Sequence, residues 1–273
     1  MNLAQHCADH IRQANCIAVL TGAGISTAAG IPDFRGPQGL YVTKRYDPEK
    51  VFDIDYFYRD PKPFFEFAKD FLERFPASFE KIVPSQAHEM SRGISTINNK
   101  IKPTFTHKFL ARLEKEEKLI GIITQNIDSL HQLAGSKNVL EMHGSFWNSF
   151  CLDCGKKFSF EEIKDKIKSE GIPHCECRGI IKPDIVFFGE NVKHLSESFH
   201  LAHQADLFFV IGTSCVVYPA ASVPQYTNGK IVVVNKGKAE LDLPNIVFEV
   251  NEDLDEFFQK VSHELFEKKV SFR

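Results

Sequence analysis

The chain has 273 residues, of which 43% are hydrophobic and 25% charged, and both fractions are typical of a globular protein. These values exclude a disordered, collagen-like or low-complexity chain, and the length allows a full-sized core without disulfide bridges. The formal net charge is -3, so the chain has no excess of basic residues and its composition gives no support to direct binding of nucleic acid.

The apolar runs of the sequence are short. None approaches the roughly 20 residues that span a bilayer. The N-terminal stretch contains Asp9, His10 and Arg12 where a signal peptide has an apolar core. We therefore expect a cytoplasmic protein without a membrane partner. Seven cysteines also fit a reducing compartment, and three of them are expected to be buried thiols: Cys7, Cys16 and Cys215.

Strand-like and helix-like segments alternate along most of the chain. A helix is predicted over 3–14, and a buried strand over 16–20 runs into a glycine-rich turn. Further strands are predicted over 119–124, 139–142, 207–212, 231–235 and 246–250. Further helices are predicted over 106–118, 127–133, 219–226 and 254–268. This alternation predicts an α/β fold of the Rossmann-like type, a doubly wound parallel sheet with helices on both faces.

Two stretches interrupt the alternation. One covers 36–103 and is rich in Phe and Pro, and the other covers 144–182 and holds four clustered cysteines. We expect these insertions to build a small zinc-binding domain, while about 1–35, 104–143 and 183–273 build the large domain. The whole chain, 1–273, is then one unit whose two domains share interleaved segments.

The glycine-rich turn follows the first predicted strand. Gly22 and Gly24 would allow backbone amides to approach a pyrophosphate, and a helix N-terminus there favours an anion. The signal is weak, because Thr27 takes the third position of the G-x-G-x-x-G pattern. The segment 41–47 is also not the acid-ended strand that a dehydrogenase requires. Taken alone, the turn is equally consistent with a structural role.

Four cysteines are spaced as in a metal site. Cys151-x2-Cys154 and Cys175-x-Cys177 are separated by twenty residues, close to the spacing of a four-thiolate zinc ribbon. Because four thiolates leave zinc no open position for water, we predict one structural zinc ion. His174 also has ligand spacing and is an alternative to Cys175, and chance clustering of thiols is the remaining alternative.

Polar side chains follow two other predicted strands. His143 comes directly after the strand at 139–142, and the segment 125–128 (Gln-Asn-Ile-Asp) follows the strand at 119–124. Ligands of open α/β sheets gather at this edge, where an imidazole can act as a base. A histidine at a strand end is more often structural, however, and the amide and carboxylate could equally form a helix cap.

Taken together, these motifs resemble the sirtuin family, and within it the bacterial and archaeal deacetylases. The matching segments, in the family's order, are Gly22–Ser26, Gly30–Arg35, Thr124–Asp128, His143–Gly144, the two cysteine pairs, Lys182–Glu190, Gly212–Ser214, Val217–Ala221 and Asn235. The resemblance extends from about Cys16 to Phe258. The chain departs from the family in its shortened second cysteine pair and in a longer stretch between Arg74 and Lys102.

The resemblance implies a protein-lysine deacylase that uses NAD as a co-substrate. Acyl-lysine proteins or peptides are the implied partners, and they would meet NAD between a Rossmann-like domain and a zinc domain. The products would be nicotinamide, O-acyl-ADP-ribose and free lysine. Two alternatives stay open, a mono-ADP-ribosyltransferase on the same fold and a non-catalytic module that senses NAD. The oligomeric state is not predicted.

Site residues follow from the same resemblance. His143 matches the general base, and Asn126 and Asp128 match the nicotinamide pocket, so these three form the implied catalytic set. The implied NAD-binding residues are Ala23, Gly24, Thr27, Phe34, Arg35, Gln125, Ile127, Asp128, Gly212, Thr213, Ser214, Asn235 and Asp253. The implied peptide contacts are Val186, Phe187, Phe188, Gly189 and Val217. A salt bridge within the following loop is the alternative for Arg35, and plain core is the alternative for 186–188.

The acyl preference is predicted from a helix over 63–72. Relatives that accept acidic acyl groups carry a Tyr and an Arg three residues apart on this helix, and the best-matching positions here are Ala68 and Phe71. We therefore expect neutral acyl groups, with acetyl first. Longer fatty chains stay open because the helix is rich in Phe, although such a stripe is also typical of a core. We expect Lys69 to face solvent.

Overall fold

The computed structural model of the chain describes residues 2–33, 36, 39, 43, 46–74 and 101–267. They divide into two compact units, one from the segments 1–33, 103–143 and 192–273, and one from 34–102 and 144–191. The segment 183–191, which the sequence places in the large domain, lies in the second unit. Phe34, Arg35 and most of the stretch 74–102 lie outside the described residues.

The helices and strands are numbered here in chain order. The α-helices are α1 (Leu3–Gln13), α2 (Pro48–Val51), α3 (Ile54–Arg59), α4 (Lys62–Arg74), α5 (Phe105–Lys115), α6 (Leu130–Ala134), α7 (Phe160–Glu170), α8 (Leu195–Gln204) and α9 (Leu254–Ser262). The β-strands are β1 (Ile17–Thr21), β2 (Leu119–Thr124), β3 (Val139–Glu141), β4 (Gly144–Cys151), β5 (Lys157–Ser159), β6 (Ile181–Ile185), β7 (Leu207–Ile211), β8 (Lys230–Val234) and β9 (Ile246–Val250). Ala23–Ala29 and Ala220–Tyr226 are 3₁₀ helices, and His263–Glu267 is a π-helical turn.

The first unit is built on a six-stranded parallel sheet. Its strand order is β3-β2-β1-β7-β8-β9, so the chain moves outward from β1 in one direction and then returns to the other side of β1. The order therefore reverses between β1 and β7. Such a switch point is where open α/β sheets bind ligands. The predicted fold class is confirmed.

Both faces of this sheet are covered. Strand β1 is buried along its whole length because its side chains alternate between two apolar cores. Ile17 and Val19 belong to the core that contains residues of α1, α5 and α9. Ala18 and Leu20 belong to the core that contains residues of α8 and the 3₁₀ helix Ala220–Tyr226. The sheet is thus held rigidly at its centre, next to the switch point.

The second unit contains a three-stranded antiparallel sheet with the order β5-β4-β6. Aromatic rings fill its core, with Phe64 lying 5.6 Å from Phe57 and 4.9 Å from Phe187 between ring centroids. Edge-to-face and tilted pairs of this kind add to the stabilisation from burial. Most of the Phe stripe on α4 is therefore plain core, since Phe64, Phe65 and Phe67 are all buried.

Two other expectations bear on the fold. Within the described residues, no helix is both long and apolar enough to cross a membrane. Cys7 and Cys215 are buried, as expected, whereas Cys16 is half-buried because it lies in the connection that leads into β1. Burial raises the pKa of Cys215 to about 11, so this thiol is unreactive at neutral pH.

Candidate functional site

The predicted site residues of the first unit follow the carboxyl ends of its parallel strands. Thr21, the last residue of β1, pairs with Thr124 of β2 and with Ile211 of β7. Because the strands are parallel and end in register, the segments 22–26, 125–128 and 212–214 leave the sheet at one edge. His143 comes two residues after β3 and Asn235 one residue after β8, at the same edge.

The glycine-rich turn packs directly against the loop that follows β7. A Cβ at Gly24 would lie 2.9 Å from the Cα of Gly212, and one at Gly22 would lie 2.7 Å from the Cβ of Thr213. The N–H of Gly24 donates to the Gly212 carbonyl at 2.8 Å, and that of Gly22 donates to Ile211 at 3.0 Å. The N–H groups of Gly22 and Gly24 thus tie the two loops together, and the expected approach of a pyrophosphate to this turn stays a prediction.

A buried polar cluster lies between the turn after β1 and the turn after β2. The Asn126 side chain donates to the Ser26 hydroxyl at 3.1 Å and to the Gly22 carbonyl at 3.2 Å. The Ser26 hydroxyl donates to a carboxylate oxygen of Asp128 at 2.6 Å. Asn126 and Asp128 are only 8% and 5% exposed, so the cluster fixes both side chains in a largely dry environment.

The pKa of Asp128 is raised, because burial outweighs the hydrogen bonds to its carboxyl group. Burial raises the pKa of this carboxyl, while the hydrogen bonds from Ser26 and from the Leu130 N–H favour its charged form. A buried carboxylate with two fixed donors is well suited to orient an amide or a sugar hydroxyl. This arrangement is consistent with the nicotinamide pocket that the sequence implies, although the role itself stays a prediction.

His143 is held in one tautomer. Its Nδ1 lies 2.8 Å from the Gln125 carbonyl, which can only accept, so Nδ1 carries the proton and Nε2 carries the lone pair. Burial is the larger influence on the pKa of His143 and lowers it below 6.5, while the Gln125 carbonyl acts in the opposite direction. Within the part of the chain that the structure describes, no hydrogen bond uses the Nε2 lone pair, so this neutral imidazole can accept a proton at neutral pH.

The lowered pKa of His143 predicts the acid limb of the pH–activity profile. A base works when unprotonated, so activity is retained above this pKa and lost as the pH falls through it. We expect the acid limb of kcat/KM to have its midpoint below the ordinary histidine value of about 6.5. Circular dichroism at each pH is the control, because acid also destabilises folds with buried neutral histidines. A midpoint above 7 in a folded sample would contradict this assignment.

The other predicted NAD-binding residues of the first unit are distributed along the same edge. The Gln125 amide donates to the Thr213 hydroxyl at 3.1 Å, which links the loops after β2 and β7. Asn235 donates to the Gly237 carbonyl, and Thr27 donates to the Gly24 carbonyl. Asp253 caps α9 by accepting from two backbone N–H groups, a structural task that the sequence did not reveal. Ala23, Ile127 and Ser214 are half-buried.

The second unit brings the four predicted metal ligands together. The Sγ atoms of Cys151, Cys154, Cys175 and Cys177 all lie within 4.8 Å of one another. Tetrahedral zinc with bonds of about 2.3 Å places its sulfur ligands about 3.8 Å apart. The distances from Cys151 to Cys177, 3.4 Å, and from Cys154 to Cys175, 3.7 Å, are close to that value. Four thiols in this geometry fit one structural zinc ion.

The shortened second cysteine pair has a local explanation. Arg178 has a positive φ of 74°, and the Cys175 N–H donates to the Gly179 carbonyl at 2.8 Å, which closes a tight turn. A Cβ at Gly179 would lie 2.6 Å from the Sγ of Cys151, so glycine keeps space for the sulfur cluster. His174 is exposed and is not part of the cluster, which favours Cys175 over His174 as the ligand.

A buried ion pair shapes the predicted peptide segment of the second unit. Lys182 is 1% exposed, and its Nζ donates to Glu190 at 2.9 Å and to the Ile185 carbonyl at 2.6 Å. Glu190 also accepts from the Phe187 N–H at 2.7 Å. Because a buried charge is stable only when paired, this arrangement fixes the fold of 186–189.

The predicted peptide contacts differ in their exposure. Phe187 is buried among the aromatic rings, so its side chain is core, as the alternative interpretation has it. Phe188 is 48% exposed, and its backbone pairs with the chain around Asp53. Gly189 is exposed and Val186 half-buried, while Val217 belongs to the first unit and is half-buried.

Sequence reasoning assigned no site role to Ser26, Lys182 or Glu190. Ser26 stands in a motif that was recognised, but its contact with Asp128 joins residues 102 positions apart. A charged residue between apolar neighbours was the available signal for Lys182, since isolated charges in an apolar stretch are buried only when paired. Neither signal identifies the partner residue without the fold.

The fold and the site define a class of protein. It is an α/β protein whose first unit has a Rossmann-like parallel sheet with a buried polar cluster between the turns after β1 and β2, and whose second unit carries a four-cysteine cluster. A model of the Sir2 family matches residues 22–98 and 82–219. The chain belongs to the Sir2 family.

Individual relatives are similar over nearly the whole chain. An NAD-dependent protein deacetylase from Thermotoga maritima is 41% identical over 262 residues, which cover 94% of this chain and 96% of that protein. One from Sulfurisphaera tokodaii is 43% identical, covering 87% and 86%. A solved Sir2 variant with a deacetylated p53 peptide and 3'-O-acetyl ADP-ribose has a TM-score of 0.81 at 39% identity, covering 97% of this chain and 98% of that one. A Sir2–p53 peptide–NAD+ complex has a TM-score of 0.77 at 40% identity, covering 95% and 97%.

Proposed function

We propose that this chain is an NAD-dependent protein-lysine deacetylase. The observation that carries the proposal is the occurrence of a fixed base and a buried polar cluster at one sheet edge. His143 presents the lone pair of its Nε2, and Asn126, Ser26 and Asp128 form the cluster. The family membership of the chain and the deacetylase activity named for its relatives agree with this arrangement.

NAD is the co-substrate in this proposal. The bond between nicotinamide and the ribose C1′ breaks as the acyl oxygen of the substrate lysine attacks C1′. A ribose hydroxyl then bonds to the acyl carbon, the C–N bond to lysine breaks, and one water molecule supplies the atoms that complete free lysine and O-acyl-ADP-ribose. We assign His143 to accept the proton of a ribose hydroxyl, since a neutral imidazole is suited to that transfer. Asn126 and Asp128 would hold the nicotinamide amide, with Ile127 supplying backbone contacts.

The remaining NAD contacts are assigned to the edge of the same sheet. These residues are Ala23, Gly24, Thr27, Gln125, Gly212, Thr213, Ser214, Asn235 and Asp253, with Phe34 and Arg35 outside the described part of the chain. Thr213 and Gln125 are the best supported of them, because they hydrogen-bond each other where the strand order reverses. Asp253 is the least supported of them, because its side chain already caps α9.

Acyl-lysine proteins or peptides are the second substrate. We assign their backbone to the segment 186–189 and to Val217, which would add the peptide as a strand through main-chain hydrogen bonds. Recognition of this kind tolerates many sequences, because the main chain supplies the affinity. The exposure of Gly189 supports the assignment, whereas the N–H and the carbonyl of Phe188 already bond to Phe52 and Ile54.

Zinc is assigned a structural role in the second unit. Four thiolates would close its coordination sphere, so the ion would hold the turns at 151–154 and 175–177 together and would have no position left for a substrate. The catalytic work then falls to the first unit's own side chains.

The products of the reaction test the proposal. Incubation with NAD and an acetyl-lysine peptide should give nicotinamide, free lysine peptide and acetyl-ADP-ribose by mass spectrometry. A gain of ADP-ribose mass on a protein would instead identify a mono-ADP-ribosyltransferase. Binding of NAD without nicotinamide release would identify a module that senses NAD. Omission of NAD is the control for each outcome.

The acyl preference gives a second test. Ala68 is fully buried and Phe71 stacks 5.5 Å from Phe146, so neither position of α4 offers a partner for an acyl carboxylate. Lys69 is exposed. Because an unpaired buried carboxylate costs several kcal/mol, we expect acetyl turnover to exceed succinyl turnover by about 100-fold or more.

This acyl prediction is measured with one peptide sequence in acetyl, succinyl and myristoyl forms. The myristoyl peptide reports whether long apolar chains are also accepted. A variant Lys69→Ala is the matched control, because it removes the exposed cation that follows Ala68 in sequence without changing the core. Equal succinyl and acetyl turnover in the wild type would overturn the prediction.

We further propose that the protein acts in the cytoplasm, on proteins, and without direct binding to nucleic acid or membranes. The net charge of -3 argues against a nucleic-acid footprint. A gel-shift assay with duplex DNA and a sedimentation assay with anionic vesicles, both at about 0.15 M salt, test these two expectations.

A further inference from the structure

A path of buried hydrogen bonds leads to the turn that carries Asn126. His131 of α6 is 1% exposed, and its Nε2 lies 3.0 Å from the Oγ1 of Thr21. The Thr21 hydroxyl donates to the Thr124 hydroxyl at 2.9 Å. That hydroxyl accepts from the Asn126 N–H at 3.1 Å. The path therefore runs without interruption from His131 on α6 to the backbone of Asn126.

Thr21 also supports the residue that orients the base. The Gln125 N–H donates to the Thr21 carbonyl at 3.0 Å, and the Gln125 carbonyl accepts from His143 Nδ1 at 2.8 Å. Thr21 thus contacts the turn at two points, one through its hydroxyl and one through its carbonyl. A shift of Thr21 would change the positions of both Asn126 and His143.

A second buried histidine lies beside His131. The Thr104 N–H donates to His107 Nδ1 at 3.3 Å, and the Thr104 hydroxyl lies 2.7 Å from the same nitrogen, so His107 is tied through Nδ1 to the start of α5. The rings of His107 and His131 have centroids 4.7 Å apart. Among the described residues, neither His107 Nε2 nor His131 Nδ1 has a hydrogen-bond partner.

The Thr21 hydroxyl has one proton and donates it to Thr124, so its oxygen accepts from His131 Nε2, which therefore carries the proton of this ring. Every donor along the path points toward Thr124, which is the direction in which Thr21 donates.

Both imidazoles are neutral. Burial lowers the pKa of His107 to about 3, and burial together with the nearby His107 lowers the pKa of His131 well below its usual value. Any influence of His131 on the buried polar cluster therefore acts through fixed hydrogen bonds rather than through charge.

We propose that His131 is a positioning residue for the reaction, which acts through Thr21 and Thr124 to hold the turn at 124–126. In that role it sets the place of the Asn126 side chain and of the carbonyl that orients His143. The inference rests on the proposed function, because that function gives Asn126 and His143 their tasks. The alternative is that His131 only fills the core beneath the turn.

Three variants separate positioning from core filling. His131→Leu fills the space but removes the hydrogen bond, and His131→Gln restores a donor at about the reach of Nε2. Leu113→Ala, a fully buried change on α5 outside the path, is the control for lost stability. Each variant is measured for kcat, for KM of NAD and of peptide, and for its melting temperature.

We expect His131→Leu to lower kcat by about 10- to 100-fold, since small misplacements of catalytic groups have effects of that size. The peptide KM should stay within about 3-fold of wild type, and His131→Gln should recover most of kcat. Leu113→Ala should lower the melting temperature with a kcat change below about 3-fold. The proposal is wrong if His131→Leu and Leu113→Ala both lose kcat in proportion to their loss of melting temperature. It is also wrong if His131→Leu keeps wild-type kcat.

A second measurement covers the case in which His131→Leu does not fold. Thr21→Val removes the hydroxyl while keeping the shape, and it should reproduce the selective loss of kcat. Nitrogen-15 NMR of the wild type should show His131 as a neutral ring protonated on Nε2, and an Nδ1-protonated or charged ring would overturn the proposal. Failure of the proposed function is recognised separately, because the wild type would then give no NAD-dependent product.

Discussion

His143→Ala should lower kcat for deacetylation by about 10²- to 10⁴-fold, the range that general bases contribute. The variant loses the Nε2 lone pair that the Gln125 carbonyl holds in place. NAD should still bind, because proton transfer belongs to the transition state rather than to ground-state affinity. Product formation and calorimetric NAD binding, measured on one preparation, are the readouts.

An exposed histidine serves as the matched control for that variant. His200 lies on α8 and is exposed, so His200→Ala should keep wild-type kcat. The melting temperature of His143→Ala should be near that of wild type, since this half-buried side chain loses one hydrogen bond, worth about 1 kcal/mol. A variant that keeps more than about a tenth of wild-type kcat would remove His143 from the reaction.

The second large effect concerns the metal. The purified protein should contain about one zinc ion per chain, and Cys154→Ser or strong chelation should unfold the second unit. Structural zinc contributes about 10–16 kcal/mol of apparent binding free energy in small zinc domains, and that energy is folding energy. Elemental analysis reports the zinc, and circular dichroism reports the loss of structure. Activity should fall as a consequence of unfolding.

The choice of ligand is tested by the same analysis. Cys175→Ala should lose the zinc, whereas His174→Ala should keep it, because His174 is exposed and outside the sulfur cluster. Cys16→Ser is the control for a general thiol effect, since Cys16 lies far from this cluster in sequence and belongs to the first unit. An active, freshly purified sample without zinc would show that the metal prediction is wrong.

The large sheet was predictable because its strands are apolar on both faces. Strands such as β7, which is buried at every residue, give long apolar runs that the sequence shows directly. The small sheet was not predicted. Strand β4 mixes buried and exposed residues without regular alternation, and β5 has only three residues. The helix predicted over 127–133 begins only at Leu130, because the turn before it is held by Asp128 and Thr124.

That several of the predicted site residues meet at one sheet edge was predictable, but their contacts were not. Strand ends in a parallel sheet collect at one edge, so the order of the motifs suffices to bring His143 and 125–128 to the same place. The contact of Ser26 with Asp128 and the bond of the Gly24 amide to Gly212 depend on how β1 pairs with two distant strands. No local pattern encodes those pairings.

The pairing of β1 with β7 also bears on how the protein is made. Ile17 lies beside Leu207, so one side of the central strand gains its partner only after about 190 further residues have been synthesised. At typical translation rates that interval is roughly 10–40 s. During it, β1 presents an apolar strand with unsatisfied backbone groups, a form prone to aggregation. Newly made chains should therefore depend on chaperones until the second half of the sheet leaves the ribosome.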